Sequence, residues 1–138
     1  MQRDYIVEIF EELGKILAAV VFLKKTQPDK ALDQINAAFK GTKFGDRNTF
    51  DSLSSEAFPD FLEQWQMGYE TAEVIIDLLL EEVEIRLAMG DVKPLPALLE
   101  KARLLMDYAV QKETALKVFS LKHDQQSARL KDLSGKII

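Results

Sequence analysis

The chain has 138 residues, 47% of them hydrophobic, with only 6 Gly and 4 Pro, which is the size of one domain and too apolar for global disorder. It contains no cysteine, so disulfides, thiolate zinc sites, iron–sulfur clusters and a cysteine nucleophile are excluded. The net charge of -5 is uneven: residues 31–100 carry 14 acids against 5 bases, and residues 101–138 carry 8 bases against 4 acids. An acidic chain with one modest basic end lacks the concentrated basic footprint that nucleic-acid binding needs. The unlike ends read as ordinary solvated faces, with head-to-tail association as the sharper alternative.

The first helix is expected from about Asp4 to Lys25. Asp4 suits its N-cap or first turn, and Lys24 and Lys25 suit the negative end of its dipole. Ile6, Ile9, Phe10, Leu13, Ile16, Leu17, Val20 and Val21 recur at helical spacing, with Glu8, Glu11, Glu12 and Lys15 on the other side. Gly14 inside this helix costs about 1 kcal/mol against Ala, and such a residue often lets a neighbouring helix approach closely. The apolar run from Ile16 to Leu23 is shorter than the ~20 residues a bilayer span needs. The acids before it differ from the positive lead of a signal peptide, so neither export nor a membrane anchor is expected.

Thr26 to Asp29 ends this helix and starts a second, with Pro28 in the first turn and Ala31, Leu32, Ile35, Ala38 and Phe39 facing inward. Gly41 is expected as its left-handed stop. The short loop makes the two helices an antiparallel pair. Residues 41–47 read as a loop. Residues 48–59 read as short helical turns that place Phe50, Leu53, Phe58, Phe61 and Leu62 inside. A long helix then runs from about Gly68 to Met89, and its apolar residues cover more than one stripe, as in a central helix flanked on two sides. Gly90 and Asp91 terminate it, and Pro94 and Pro96 open the next helix, through Leu98, Ala102, Leu105 and Val110. The pattern leaves open whether that helix breaks near Gln111. Lys112 to about Leu133 has helical propensity, with Ala115, Val118 and Phe119 as its apolar face. Lys122 to Arg129 is polar all round and is expected to fray or to need a partner. Residues 134–138 read as a flexible tail on a single helical domain, 1–138.

The search for chemistry returns little. His123, the only histidine, lies on the weakest helical stretch and reads as a surface residue. Ser52, Ser54 and Ser55 occur in no nucleophile elbow, and no glycine-rich phosphate loop is present, so turn and cap chemistry is their expected role. Asp77, Glu81 and Glu84 line one helix face, extended by Glu73. Such a stripe can do acid–base work or bind a hard cation, but it reads first as a solvated face, paired with Arg86 or with lysines on the next helix. The helix-bundle di-iron signature is missing. Phe58, Phe61, Trp65 and Tyr69, spaced by 3, 4 and 4, share one stripe if the stretch is a single helix. They read as core, or as the wall of a groove that receives a peptide or helix.

Two turns share a spacing. Gly90, Leu95, Leu99 and Ala102 repeat the offsets of Thr26, Ala31, Ile35 and Ala38. This resembles the turn and second helix of a tetratricopeptide repeat (TPR). Leu95 stands where that repeat prefers Ala, its Trp and Gly-Tyr pattern is missing upstream of Gly90, and the copies are 64 residues apart (90 − 26). Over about residues 3–110 the chain is also similar to a family of short bacterial proteins of unknown function, through Asp4-Tyr5-Ile6, Glu11-Glu12-Leu13-Gly14, Asp51-Ser52-Leu53-Ser54, Leu78-Leu79 and Glu81-Glu82. The resemblance implies a bacterial source and a repeat-like helical fold. It implies no activity and transfers no site residue.

The expectation is therefore an all-α array of antiparallel hairpins, five to seven helices in a TPR-like right-handed superhelix. The expected function is protein–protein interaction, binding a peptide, a helix or a second copy through an apolar groove at Phe58, Phe61, Trp65 and Tyr69. It would be cytoplasmic and non-enzymatic, without cofactor or metal, and without a nucleic-acid or membrane partner. The alternative is a small-molecule or divalent-cation binding protein, or an enzyme, built on Asp77, Glu81 and Glu84.

Overall fold

A computed structural model describes residues 2–137, with side chains from Glu8 to Ile137. The roles expected of Asp4 and Ile6 concern side chains outside that range. Seven α-helices follow in order: α1 (Gln2–Leu23), α2 (Pro28–Ala38), α3 (Arg47–Ser52), α4 (Ala57–Trp65), α5 (Tyr69–Met89), α6 (Leu95–Leu116) and α7 (Lys122–Ile137). No strand occurs among the described residues.

The central helix is α5, and the reason is legible in its residues. Val74, Ile75, Ile76, Leu78, Leu79, Leu80, Val83 and Ile85 point in every direction around the helix and are all buried. An all-round apolar helix needs neighbours on every side. On one side lies the α1–α2 hairpin, which contributes Ile9, Leu13, Val20, Ala31 and Ile35. On the other lie α6 and α7, which contribute Leu95, Leu98, Ala102, Leu105 and Leu133 to the same core. Residue numbers on α1 and α5 climb together: Leu17 lies beside Asp77 and Glu81, and Lys25 beside Ala88 and Met89. The two helices are thus parallel. So are α7 and α5, since Gln126 reaches Asp77 and Arg129 reaches Glu84.

The turns follow local chemistry. Gly90 takes φ 77°, and two bonds close the end of α5: its N–H to the Leu87 carbonyl at 3.1 Å, and the Asp91 N–H to the Arg86 carbonyl at 2.9 Å. This is the Schellman arrangement, and glycine enters its left-handed position without the Cβ penalty. Gly41 does not play the same part. It closes a 3-10 turn over Phe39–Gly41, and the glycine at positive φ in this loop is Gly45. Thr42, buried, satisfies the helix end instead, its hydroxyl donating to the Phe39 carbonyl at 2.8 Å.

The C-terminal third departs from the pattern reading. Helix α6 passes Gln111 unbroken and stops at Lys117, which adopts φ 58°. The single helix expected over 112–133 is therefore two, separated by the stretch 117–121. Val118 and Phe119, expected on a buried face, are exposed. Helix α7 extends through Ser134 and Gly135 to Ile137, where the sequence reading expected a tail. Gln126 and Leu133 are buried against the rest of the fold, and Leu130 and Ile137 pack on the core. Periodicity misses α7 because polar side chains hold much of it.

Candidate functional site

Of the aromatic residues expected to line a groove, Phe58 lies in the core and Phe61, Trp65 and Tyr69 are partly buried against it. Asp46 caps α3, accepting from the Thr49 N–H at 2.7 Å, and Ser54 Oγ accepts from the Ala57 N–H at 3.1 Å at the start of α4. Ser52 donates to the Asn48 carbonyl one turn back in α3, so of the serines expected to do turn and cap chemistry Ser54 is the one placed as a cap. These two short helices fold over Phe44. Its ring stacks on Phe61 at 5.0 Å and meets Trp65 edge-on at 5.4 Å and Phe50 edge-on at 5.0 Å. Phe58 is fully buried, and Phe61 and Trp65 are partly buried against the core. Gln66, at φ 58°, ends α4, so Tyr69 belongs to α5 and the four residues do not share one helical stripe. Phe44 organises the cluster. Its signal in the sequence is that it is the one large apolar residue in the 41–47 loop.

Tyr108 of α6 holds this end of α4. Its hydroxyl donates to the Met67 carbonyl at 2.6 Å, with the Leu62 carbonyl at 3.3 Å. Burial pushes its pKa up to about 12, with Glu63 adding to the effect.

The acidic stripe of α5 is a docking ledge for its neighbours. Glu81, 4% exposed, accepts from Lys24 of α1 at 2.8 Å and from Arg129 of α7. Glu84 accepts from the same two cations, at 3.3 Å from Lys24 and 2.6 Å from Arg129. Asp77 pairs with Lys122 at 2.7 Å and accepts from Gln126 at 2.8 Å. On another face Glu82, 1% exposed, takes both guanidinium arms of Arg47 at 2.6 and 3.0 Å and Arg86 at 2.8 Å. Burial works to raise the pKa of Glu84, but the hydrogen bonds from Arg129 and Lys24 outweigh it and hold the group below its ordinary value. A carboxylate kept ionised by two cations is a poor proton donor, and its lone pairs are already engaged. Among the described residues no group of three His, Cys, Asp or Glu side chains is placed to hold a metal ion.

A second carboxylate grouping lies at the α6–α7 junction. Glu73 and Glu113 are both 7% exposed. Ser120 donates to Glu73 Oε2, while Glu113 Oε1 is buried without a hydrogen-bond partner. Burial raises the pKa of Glu73, Ser120 opposes the rise, and the neighbouring Glu113 adds to it. Sequence reading placed Glu73 on the stripe and passed over Glu113, because nothing in local spacing brings residues 73 and 113 together. His123 lies half-buried in the first turn of α7.

Among the described residues large apolar side chains are exposed at three places, one of them the α5–α6 turn with Met89 and Val92. Along α1, Phe10, Val21 and Phe22 are exposed, Phe22 at 81%. Between α6 and α7, Leu116, Val118, Phe119 and Leu121 are exposed, Phe119 at 80% and Leu121 at 73%. An open cleft between α1 and α7 is lined by Leu17 and Val21 on one side and by Lys122, Gln125 and Arg129 on the other. The chemistry these surfaces offer is apolar contact with a charged border. Comparison of the chain with family profiles, with curated proteins and with solved structures gives no match.

Proposed function

We propose that this chain is a protein–protein interaction module that works through apolar side chains displayed on a rigid helical array. The observation that carries the reading is the exposure of Phe22, Leu116, Phe119 and Leu121, at 63% or more each. Leaving several large apolar side chains in water forfeits roughly 1.5–3 kcal/mol each relative to burial, a loss that a docked partner recovers. The fold reading is TPR-like: two hairpins, α1–α2 and α5–α6, with their first helices parallel and α7 beside them as a closing helix. Gly90, Leu95 and Ala102, and Ala31, Ile35 and Ala38, support this reading, since the last five are buried at the positions where a repeat nests its second helix on its first. In this reading the protein acts in a bacterial cytoplasm, which the cysteine-free composition suits.

The docking surface is shifted from the aromatic set 58–69 to α1 and the 116–121 stretch. Phe58 is inaccessible, and Phe61 and Trp65 are held by Phe44. The test is capture of partners from host lysate by the tagged wild type and by a Phe119→Ser/Leu121→Ser variant with unchanged circular dichroism. A protein enriched by the wild type and lost from the variant supports the reading. A protein retained by both, or nothing enriched under gentle conditions, overturns it for this surface.

A further inference from the structure

Two carboxylates meet in the interior where α5, α6 and the 117–121 connector join. Glu73 and Glu113 are each 7% exposed, and their side chains are within hydrogen-bonding reach of one another. Both are acceptors when ionised, so no hydrogen bond can join them in that state. The Ser120 hydroxyl occupies Glu73 Oε2, and Glu113 Oε1 is buried with no donor. Two adjacent ionised carboxylates in a low-dielectric interior repel strongly. Lys122 of α7 favours the ionised form of Glu73, but it is engaged with Asp77 at 2.7 Å. The remaining neighbours bring no positive charge. Gln126 of α7 donates to the Glu73 carbonyl at 2.8 Å, and Tyr69, Glu70 and Asp77 lie one turn either side of Glu73 on α5, with Tyr69 in range of both carboxylates. Among the described residues no third His, Cys, Asp or Glu completes a metal site with the pair. The group that suits the space between them is a proton.

We propose that Glu73 and Glu113 share a single proton, carried on Glu73 Oε1 and donated to Glu113 Oε1, and that this acid pair latches the 117–121 connector to α5 at low pH and releases it as pH rises. The proton gives the orphaned Glu113 oxygen its donor and leaves Glu73 Oε2 to accept from Ser120. The pair sits at a hinge. Helix α6 ends at Lys117 with φ 58°, and the Val118 N–H turns back to the Glu113 carbonyl at 3.0 Å. The connector thus leaves α6 beside Glu113 and is tied to α5 at Glu73 by Ser120. Burial and Glu113 raise the pKa of Glu73, with Ser120 and Lys122 opposing. The contribution of the pair is therefore complete below the usual carboxylate range and is lost as pH rises through the raised pKa. Above it the second charge is relieved when the connector swings outward and water reaches both carboxylates. The connector carries exposed Val118, Phe119 and Leu121. In the interaction reading above, on which this consequence rests, low pH sets that surface and higher pH loosens it.

Two measurements on the full chain test the latch: carbon-13 titration of the Glu73 side-chain carboxyl, and amide exchange corrected for its intrinsic pH dependence, read at Lys117, Val118 and residues 125–127. The expected wild-type result is a Glu73 midpoint above the usual carboxylate range, with protection at those amides falling by more than about tenfold across it while α5 stays protected. Glu73→Gln offers an N–H to Glu113 and an acceptor to Ser120 at every pH, so its connector should keep the low-pH protection throughout. Glu113→Gln removes the like charge and should bring the Glu73 midpoint down. A Glu73 midpoint in the usual range, connector exchange indifferent to pH across the titration, or a Glu73→Gln connector as pH-dependent as the wild type overturns the proposal. His123→Gln should retain the effect, and its loss there would assign the switch to His123 and refute the pair. The wild-type measurements need no substitution, so an unstable variant leaves the decision intact. The lysate capture above tests the interaction reading and the exchange tests the latch, so either can fail alone.

Discussion

Removing the charge of Arg129 tests whether the acidic stripe serves to dock α7. Arg129→Met keeps the aliphatic stem and removes the guanidinium. Glu81 and Arg129 have side chains 5% and 31% exposed, so their contact is half-buried, while Glu84 at 46% is close to solvent. Breaking a fully buried pair costs roughly 3–5 kcal/mol, chiefly by leaving a charge unpaired. Glu81 keeps Lys24 at 2.8 Å, which offsets about half of that, and the exposed Glu84 contact adds at most a few tenths. The expected loss is about 2 kcal/mol, near the upper end of ordinary point-mutant effects. Urea unfolding measures it, and amide exchange locates it: protection should fall in α7 and persist in α5. A loss under about 0.5 kcal/mol with α7 protection unchanged would refute the docking role and return the stripe to consideration as a ligand site.

Three further outcomes follow from the same geometry. Glu73 has a folded-state pKa above its ordinary value, so its contribution is fully present below the usual carboxylate range and is lost as pH rises through the raised pKa. Glu73→Gln keeps an acceptor for Ser120, so the variant should gain stability over the wild type across that rise and hold the gain at neutral pH; paired unfolding curves at several pH values check this, and a pH-independent difference counts against it. Tyr108→Phe should cost about 1–2 kcal/mol in denaturant unfolding by leaving the Met67 carbonyl without its buried donor, and a neutral result would mean water replaces the bond. Lys117→Gly should stabilise by about 0.5–1 kcal/mol, since a non-glycine residue at φ 58° is strained there; thermal unfolding reads the sign.

The legible part of the fold was the part governed by local chemistry. Pro28, Gly90 and the all-round apolar character of residues 74–85 announce the α1–α2 hairpin, the α5 stop and the central position of α5, because capping, φ preference and apolar periodicity act over a few residues. Gly41 misled for the same local reason: it is a good stop in principle, but Thr42 satisfied the helix end and left the glycine nothing to do. The candidate site was less legible. The spacing of Phe58, Phe61, Trp65 and Tyr69 is that of one helix, but the left-handed Gln66 divides them, and Phe44 packs against the first three, of which only Phe58 is fully buried.

By itself the sequence determined the helical class, the two short-loop hairpins, the exclusion of cysteine chemistry and the carboxylates of α5 as a coherent row. Only the tertiary structure decided what that row does. Lys24, Lys122 and Arg129 come from 57, 45 and 48 residues away to Glu81, Asp77 and Glu81, and no local pattern encodes such pairings. The same limit hid the apolar surface. Val21 and Phe119 look like core in a periodicity plot, and whether they meet a neighbour depends on where α7 starts, which is set by the left-handed turn at Lys117 and by the long-range charge pairs that seat α7 on α5.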